Sequence, residues 1–283
     1  QDVARIEAGP WSYHYAGTDA DQCWYRQIPG GESPNISNCA SGCGATGLAM
    51  LFGWIDNQAE PGENNDYWLG RWGLYRREPQ GFDLVAPKTW GDSRVKDMVW
   101  EIRNEIDTWC AKNWDPTGLS GENGPTNPWD MGGVRNYVRG RSGIAYKNWY
   151  NVLGISEDRL MEKARDSIRT DDPEKATPAL IGTGWLEHYP LAYGFRSRRH
   201  TYCVVPGWGW TCWKEYEREF LVNQGGAQGH GEWVSADIWY AGRAIPLKPE
   251  HNDVGVYRPS TREWYFDHDH SGNTDEKLHH FGG

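Results

Sequence analysis

Cys43 occupies a setting that suits nucleophilic chemistry. Gly42 and Gly44 flank it, so the backbone can turn sharply there and come close to a ligand. The run from Ala45 to Phe52 then supplies good helix formers with an apolar bias. The thiol is therefore expected at or just before a helix N-terminus. Unpaired N–H groups and the helix dipole favour negative charge at that position, which lowers a thiol pKa and raises the fraction of reactive thiolate. The structural alternative is that Cys43 is half of a disulfide. A nucleophile also needs an imidazole within hydrogen-bond reach to take its proton and later protonate the leaving group, and the chain offers nine histidines. A second set of residues could hold a cation. Asp267, Asp269, Ser271, Asn273 and Asp275 place side-chain oxygens at alternate positions, with Gly272 to make a tight turn. Calcium takes about six to eight hard oxygens in such a loop; a solvated acidic turn, with His268 and His270 between the acids, is the alternative.

Gly42-Cys43-Gly44-Ala45-Thr46 with Ala49-Met50-Leu51 resembles the nucleophile motif of papain-like cysteine peptidases, in particular the bacterial bacteriocin-processing and streptopain-like branch. Three further segments follow the same pattern in order. Residues 178–195, with His188 ahead of Ala192-Tyr193-Gly194, are similar to the family's histidine region, where the base stands at the start of a strand. His200, among Arg196, Arg198 and Arg199, is the competing histidine and reads as part of a solvated hairpin tip. Phe220-Leu221-Val222-Asn223 and the Gly-rich, Trp-containing loop after it resemble the strand that ends in the orienting Asn. Gln224 follows where the family more often has Ser or Trp. Upstream, Gln27 matches the position from which a side-chain amide joins the nucleophile's own N–H to stabilise an oxyanion. The resemblance implies a Cys43–His188–Asn223 triad with Gln27 in the oxyanion hole, a peptide or protein substrate and no catalytic cofactor. Transpeptidase or amidase chemistry would use the same residues.

These side chains need elements to hold them. After the Cys43 helix, residues 56–90 are dense in Gly, Pro and Asn and read as a surface loop. Asp92 or Ser93 then caps a helix whose Val95, Val99, Ile102, Ile106 and Trp109 recur every three or four positions, and which is expected beside the Cys43 helix. Asn127-Pro128 opens another helix to about Arg139, and Ser156-Glu157-Asp158 a fourth to about Arg169. Earlier, Trp11, Tyr13 and Tyr15 alternate as in a short strand. From Thr177 onward, residues 179–181, 190–195, 202–205 and 220–222 are β-forming runs between Gly and Pro punctuation and read as an antiparallel sheet. Helices followed by strands make an α+β chain. The resemblance implies the papain-like arrangement of two lobes, a helical lobe with the nucleophile and then a β lobe.

Composition narrows the setting. With 38% hydrophobic residues, 18 Trp and 15 Tyr, the apolar content is carried by aromatics. A net charge of -10 argues against nucleic acid or an anionic membrane as partner. No apolar run approaches the roughly 18 residues of a membrane span. The chain begins with Gln1 rather than Met, as a processed or an artificially trimmed form would, and its six cysteines make disulfides plausible in an extracellular setting. Cys203 and Cys212 bracket a Pro-Gly-Trp-Gly-Trp turn and could close a hairpin. If Cys43 is a free thiol, one more cysteine must be left over. Asn35-Ile36-Ser37 is a glycosylation-type triplet.

Residues 1–245 are thus expected to form the peptidase-like domain and 246–283 a second unit. Asp253 to Thr261 with Trp264 to Asp267 is similar to FG-GAP or VCBS repeats of extracellular proteins, which implies calcium in the 267–275 loop. A lone repeat leaves sheet edges open, which points to self-association. The rival reading is therefore an extracellular, filament-forming assembly subunit that retains a papain-like fold. Carbohydrate binding through the many Trp rests on their count alone.

Overall fold

The computed structural model describes residues 4–32, 39–58, 93–110, 124–138, 144–151, 156–170, 176–184, 188–204, 211–226, 228–246, 254–258, 263–267 and 276–279. Helix α1 (Cys43–Gln58) is apolar on every side: Ala45, Leu48, Ala49, Met50, Leu51, Phe52, Trp54 and Ile55 are all buried. A helix of that kind belongs inside the core. Two glycines let its backbone come close to its neighbours. A Cβ on Gly47 would lie 2.4 Å from Leu180 Cδ1 and 2.7 Å from the Tyr189 carbonyl oxygen, and one on Gly53 would lie 2.6 Å from the Tyr25 hydroxyl.

Helix α2 (Ser93–Glu105) packs beside α1 as expected, with Val95, Val99 and Ile102 buried and Asp97 and Glu101 exposed, but it ends before Ile106, which is buried, and Trp109, which is exposed. The helix expected from Asn127 is shorter than its pattern suggests. A 3-10 turn over Asp130–Gly133 precedes α3 (Val134–Val138). At Gly133 the backbone meets that of α2, where a Cβ would fall 1.9 Å from the Glu105 carbonyl oxygen. Helix α4 (Glu157–Ile168) follows the sequence signals closely: the Ser156 hydroxyl accepts from the Arg159 N–H at 3.3 Å, and Glu157 and Asp158 occupy the first turn.

Eight strands form the main sheet: β1 (Ala4–Ala8), β2 (Ser12–Tyr15), β3 (Ile144–Tyr150), β4 (Ala179–Thr183), β5 (Leu191–Val204), β6 (Thr211–Asn223), β7 (Glu232–Ser235) and β8 (Ile238–Pro246). All neighbours are antiparallel, in the order β3-β8-β4-β5-β6-β7, with β1 and β2 added along the far part of β5. Alternation assigns its two faces. Leu180, Tyr189, Leu191 and Tyr240 join the core under α1 and α2, while Ala179, Ile181, Ala192, Phe195, Phe220 and Val222 join a second core with Leu160, Met161, Ala164 and Ile168 of α4. The chain is α+β, but its helices and strands are not strictly sequential: β1 and β2 precede every α-helix, β3 precedes α4, and α4 covers a face of the sheet.

The segment around His200 differs from its expected place at a hairpin tip. It lies within β5, a single strand of 14 residues. Cross-strand ion pairs carry the ladder there: Arg196 Nε donates to Glu219 at 2.6 Å, Arg198 Nε to Glu217 at 2.5 Å, and His200 Nε2 lies 2.7 Å from the same Glu217 carboxylate. Local polarity suggested a turn, but charge pairing across the strands extends the sheet. The true tip is closed by the Cys203–Cys212 disulfide, joining residues paired in register, as the sequence suggested.

Beyond Pro246, β9 (Val254–Arg258), β10 (Glu263–Asp267) and β11 (Glu276–His279) make a separate three-stranded antiparallel sheet, ordered β11-β10-β9. Asp267 ends β10. Asp269, Ser271, Asn273 and Asp275 lie outside the described residues, as do the 59–92 part of the surface loop and the Asn35 triplet. Among the described residues no helix is long and apolar enough to cross a membrane.

The α1–sheet contact gives a stability prediction. Gly47→Ala should destabilise the chain by about 1–3 kcal/mol through overpacking, read as a lower urea midpoint at unchanged m-value. An unchanged midpoint would show that helix and sheet do not meet this closely.

Candidate active site

Cys43 is the first residue of α1, and the loop before it is fixed from several sides. Gly42 has φ of 86° and lies so close to Gly124 that a Cβ would be 2.2 Å from its carbonyl oxygen. Ser41 is bonded twice to Ile28: its N–H donates to the Ile28 carbonyl at 3.0 Å, and its hydroxyl accepts from the Ile28 N–H at 2.9 Å. The Thr46 hydroxyl donates to the Gly42 carbonyl at 2.9 Å and closes the first helical turn. Further back, the Cys39–Cys110 disulfide ties the loop to the segment that follows α2, and Trp109 N–H donates to the Pro125 carbonyl at 3.2 Å. The two disulfides leave Cys23 and Cys43 as thiols. Cys23 is the odd cysteine the count required; it is buried against α1, its sulfur 3.0 Å from where a Gly53 Cβ would stand.

The Cys43 side chain is half-buried. Burial pushes its thiol pKa above the ordinary value, and the backbone N–H groups of Tyr189, Gly44 and Cys43 itself work in the opposite direction. The helix start thus supplies the favourable dipoles anticipated from the sequence. Withdrawal from water outweighs them, so the resting sulfur is a thiol at neutral pH.

His188 stands at the start of a strand limb. Its N–H donates to the Thr183 carbonyl at 3.3 Å and its carbonyl accepts from the Thr183 N–H at 3.0 Å. The next peptide N–H, that of Tyr189, is the one that faces the Cys43 sulfur, so the main chain brings His188 to the nucleophile. The ring's Nε2 lies 3.0 Å from the Gln224 carbonyl oxygen. Burial lowers the imidazole pKa below its ordinary value, with the Gln224 backbone and side chain acting to raise it. Tyr189 is anchored by its hydroxyl, which donates to the Thr126 carbonyl at 3.0 Å, and by edge-on contact with Tyr240.

Asn223 is fully buried at the end of β6, opposite Leu191. Its side-chain Nδ2 donates to the Cys23 carbonyl at 2.9 Å and its Oδ1 accepts from the Gly225 N–H at 3.0 Å. Gly225 has φ of 72° and sits against the first turn of α1, where a Cβ would be 3.4 Å from Thr46 Cγ2. Gln27 lies between Arg26, bridged to Gly226, and Ile28, bonded to Ser41, so its main chain runs between the Asn223 turn and the Cys43 loop. The main chain at Tyr189, at Gly225 after Asn223 and at Ile28 after Gln27 therefore lies close to the Cys43 loop and the first turn of α1. His200 does not; it lies roughly 30 Å along β5 from Leu191 at the usual rise per residue.

Sequence reasoning missed two participants, Gln224 and Tyr189. Gln224 was visible only as a departure after Asn223, and a contact made by a carbonyl has no side-chain signature. Tyr189 could have been sought as the residue after the histidine. Among the described residues, no group of three or more His, Cys, Asp or Glu side chains gathers to hold a metal ion. Comparison of the chain with protein-family models, with curated proteins and with solved structures gives no match.

Thiol chemistry separates the cysteines. In non-reduced peptide maps Cys39–Cys110 and Cys203–Cys212 should be bonded. Iodoacetamide should modify Cys43 at a rate that climbs only above the ordinary thiol range of pH, while Cys23 should react after unfolding. Recovery of Cys43 in a disulfide, or faster labelling of Cys23, would contradict the geometry.

Proposed function

We propose that the protein is a papain-like cysteine hydrolase that cleaves peptide bonds outside the cell. The observation that carries this reading is the meeting of the Cys43 sulfur, at the head of a buried helix, with the peptide N–H that follows His188. The His188 ring is itself held at the turn after Asn223.

In this reading Cys43 and His188 rest as neutral thiol and imidazole. As Sγ attacks the scissile carbonyl carbon, its proton passes to the imidazole and the carbonyl π electrons move to oxygen. The Cys43 N–H and the Gln27 amide stabilise that oxyanion. When the C–N bond breaks, the imidazolium gives its proton to the leaving amine, and a thioester remains on Cys43. His188 then takes a proton from water as it attacks the thioester, and returns it to the departing thiolate. Asn223 is a positioning residue. His200 is set aside because of its distance along β5. Two disulfides support an extracellular setting. The three-stranded sheet after Pro246 supports a repeat of FG-GAP or VCBS type, in which Asp267, Asp269, Ser271, Asn273 and Asp275 would hold a structural calcium ion.

A second reading, an extracellular assembly subunit, is favoured by one observation: β9 and β11 are the outer strands of their sheet, and open edges recruit other chains. If removal of residues 247–283 leaves the oligomeric state unchanged in sedimentation, that reading fails.

For the hydrolase, Cys43→Ala should abolish cleavage of a denatured-protein or mixed-peptide substrate, and His188→Ala should lower kcat/KM by about 10²–10⁴. His200→Ala should leave turnover close to the parent. The pH profile follows from the lowered imidazole pKa. His188 works as a neutral base, so activity disappears as pH falls through that lowered value and persists at pH values where an ordinary histidine is already protonated. Undiminished cleavage by Cys43→Ala rules the mechanism out.

A further inference from the structure

We infer that His188 is oriented by the main-chain carbonyl of Gln224, with Asn223 acting as the staple of that turn. The inference rests on reading His188 as the base of Cys43.

A carbonyl oxygen can only accept. With Nε2 at 3.0 Å from the Gln224 oxygen, Nε2 must carry the hydrogen, and the neutral ring keeps its lone pair on Nδ1. On the proposed mechanism Nδ1 is then the nitrogen left to accept a proton. The imidazolium that results keeps its Nε2–H on the carbonyl dipole, which favours the positive charge and explains why the Gln224 backbone acts to raise the ring's basicity.

The carbonyl is useful only if it cannot turn away, and Asn223 fixes it. Oδ1 accepts from Gly225 N–H at 3.0 Å, a side-chain bond that spans Gln224 and holds both flanking peptide groups. Nδ2 donates to the Cys23 carbonyl at 2.9 Å and ties the turn to the segment that continues to Gln27. Gly225 supplies the left-handed backbone the turn requires, with φ of 72°, and the Arg26–Gly226 bridge closes the other side. The side chain of Asn223 thus has its hydrogen-bonding directed into the turn, and the imidazole is met by the peptide that the turn presents.

The test is NMR of the full chain labelled with 15N and 13C. In the parent, His188 should titrate from an Nε2–H neutral tautomer, and its Nε2–H should correlate across the hydrogen bond with the Gln224 carbonyl carbon. Gln224→Ala keeps the carbonyl, so tautomer and correlation should persist; loss of the side-chain contribution should move the acid limb of activity to lower pH. Asn223→Ala frees the turn and should yield mixed tautomers with kcat reduced by about 10²-fold, the cost of a misplacement near 1 Å. An Nδ1–H tautomer in the parent, or a correlation from Nε2–H to the Asn223 side chain, overturns the assignment without any variant having to fold. Activity is read separately: a parent chain inert toward peptides refutes the hydrolase reading, whereas the tautomer and its partner decide this one.

Discussion

The close approach of α1 to the sheet at Gly47 is the constraint on which the site depends. Cys43 can meet a peptide N–H of the strand limb only if the helix axis lies within backbone distance of β4 and Tyr189, and at Gly47 a side chain of any size would displace it. The contact is made in the interior, between a helix apolar on all sides and the face of the sheet carrying Leu180, Leu191 and Tyr240. Interiors are close-packed and transmit displacement, so the position of the sulfur relative to His188 is as firm as the packing beneath it. The loop before Cys43 is tied separately, through Ser41–Ile28 and Cys39–Cys110, so the helix N-terminus is held from both the core and the surface.

The same burial sets the electrostatics. Both partners of the proposed reaction are moved toward their neutral forms, the thiol upward and the imidazole downward, because each loses water. A resting ion pair is therefore disfavoured in the free chain, although the N–H groups of Tyr189, Gly44 and Cys43 favour negative charge on the sulfur. Dipoles fixed in place in a site poor in water act more strongly on that charge than solvent would and need no reorganisation. Raised thiol pKa and catalytic competence are compatible on this view, provided that proton transfer and attack occur together.

Much of this was legible in the sequence where the signal is periodic or local. The helix at Ser93 followed its three- and four-residue spacing, the Ser156 cap behaved as a cap, and the Cys203–Cys212 bracket closed the hairpin around its turn. The order Cys43, His188, Asn223 led to segments whose main chains lie near the first turn of α1, through the Tyr189 N–H at the Cys43 sulfur and Gly225 against Thr46. What could not be read was carried by partners distant in sequence. β3 pairs with β8 across most of the second half of the chain, and the β-forming Ile, Tyr and Trp of Ile144–Tyr150 do not say which strand that edge meets. Arg196, Arg198 and His200 read as a solvated tip because their carboxylate partners come from another strand. The contact that holds His188 belongs to a main-chain carbonyl, which every residue possesses.

That charged stretch of β5 also shows how the sheet extends beyond its two apolar cores. Past Phe195 and Phe220 there is little left to bury, and the β5–β6 ladder continues on ion pairs flanked by rings: the Arg196 guanidinium lies between Trp11 and Trp233, at 4.4 and 4.3 Å from their centroids. The Arg198 guanidinium, with help from His200, holds the Glu217 carboxyl down to about 2. Because that value is depressed, the pairing contributes fully above the ordinary carboxylate range and fades as pH falls toward 2. The outer hairpin should therefore loosen in acid before the cores do, since no Asp or Glu is buried among the described residues. Cys43 and His188 sit at the end of the sheet that the apolar cores support, so on the proposed mechanism an acid limb of activity would report protonation of His188 and not opening of the hairpin.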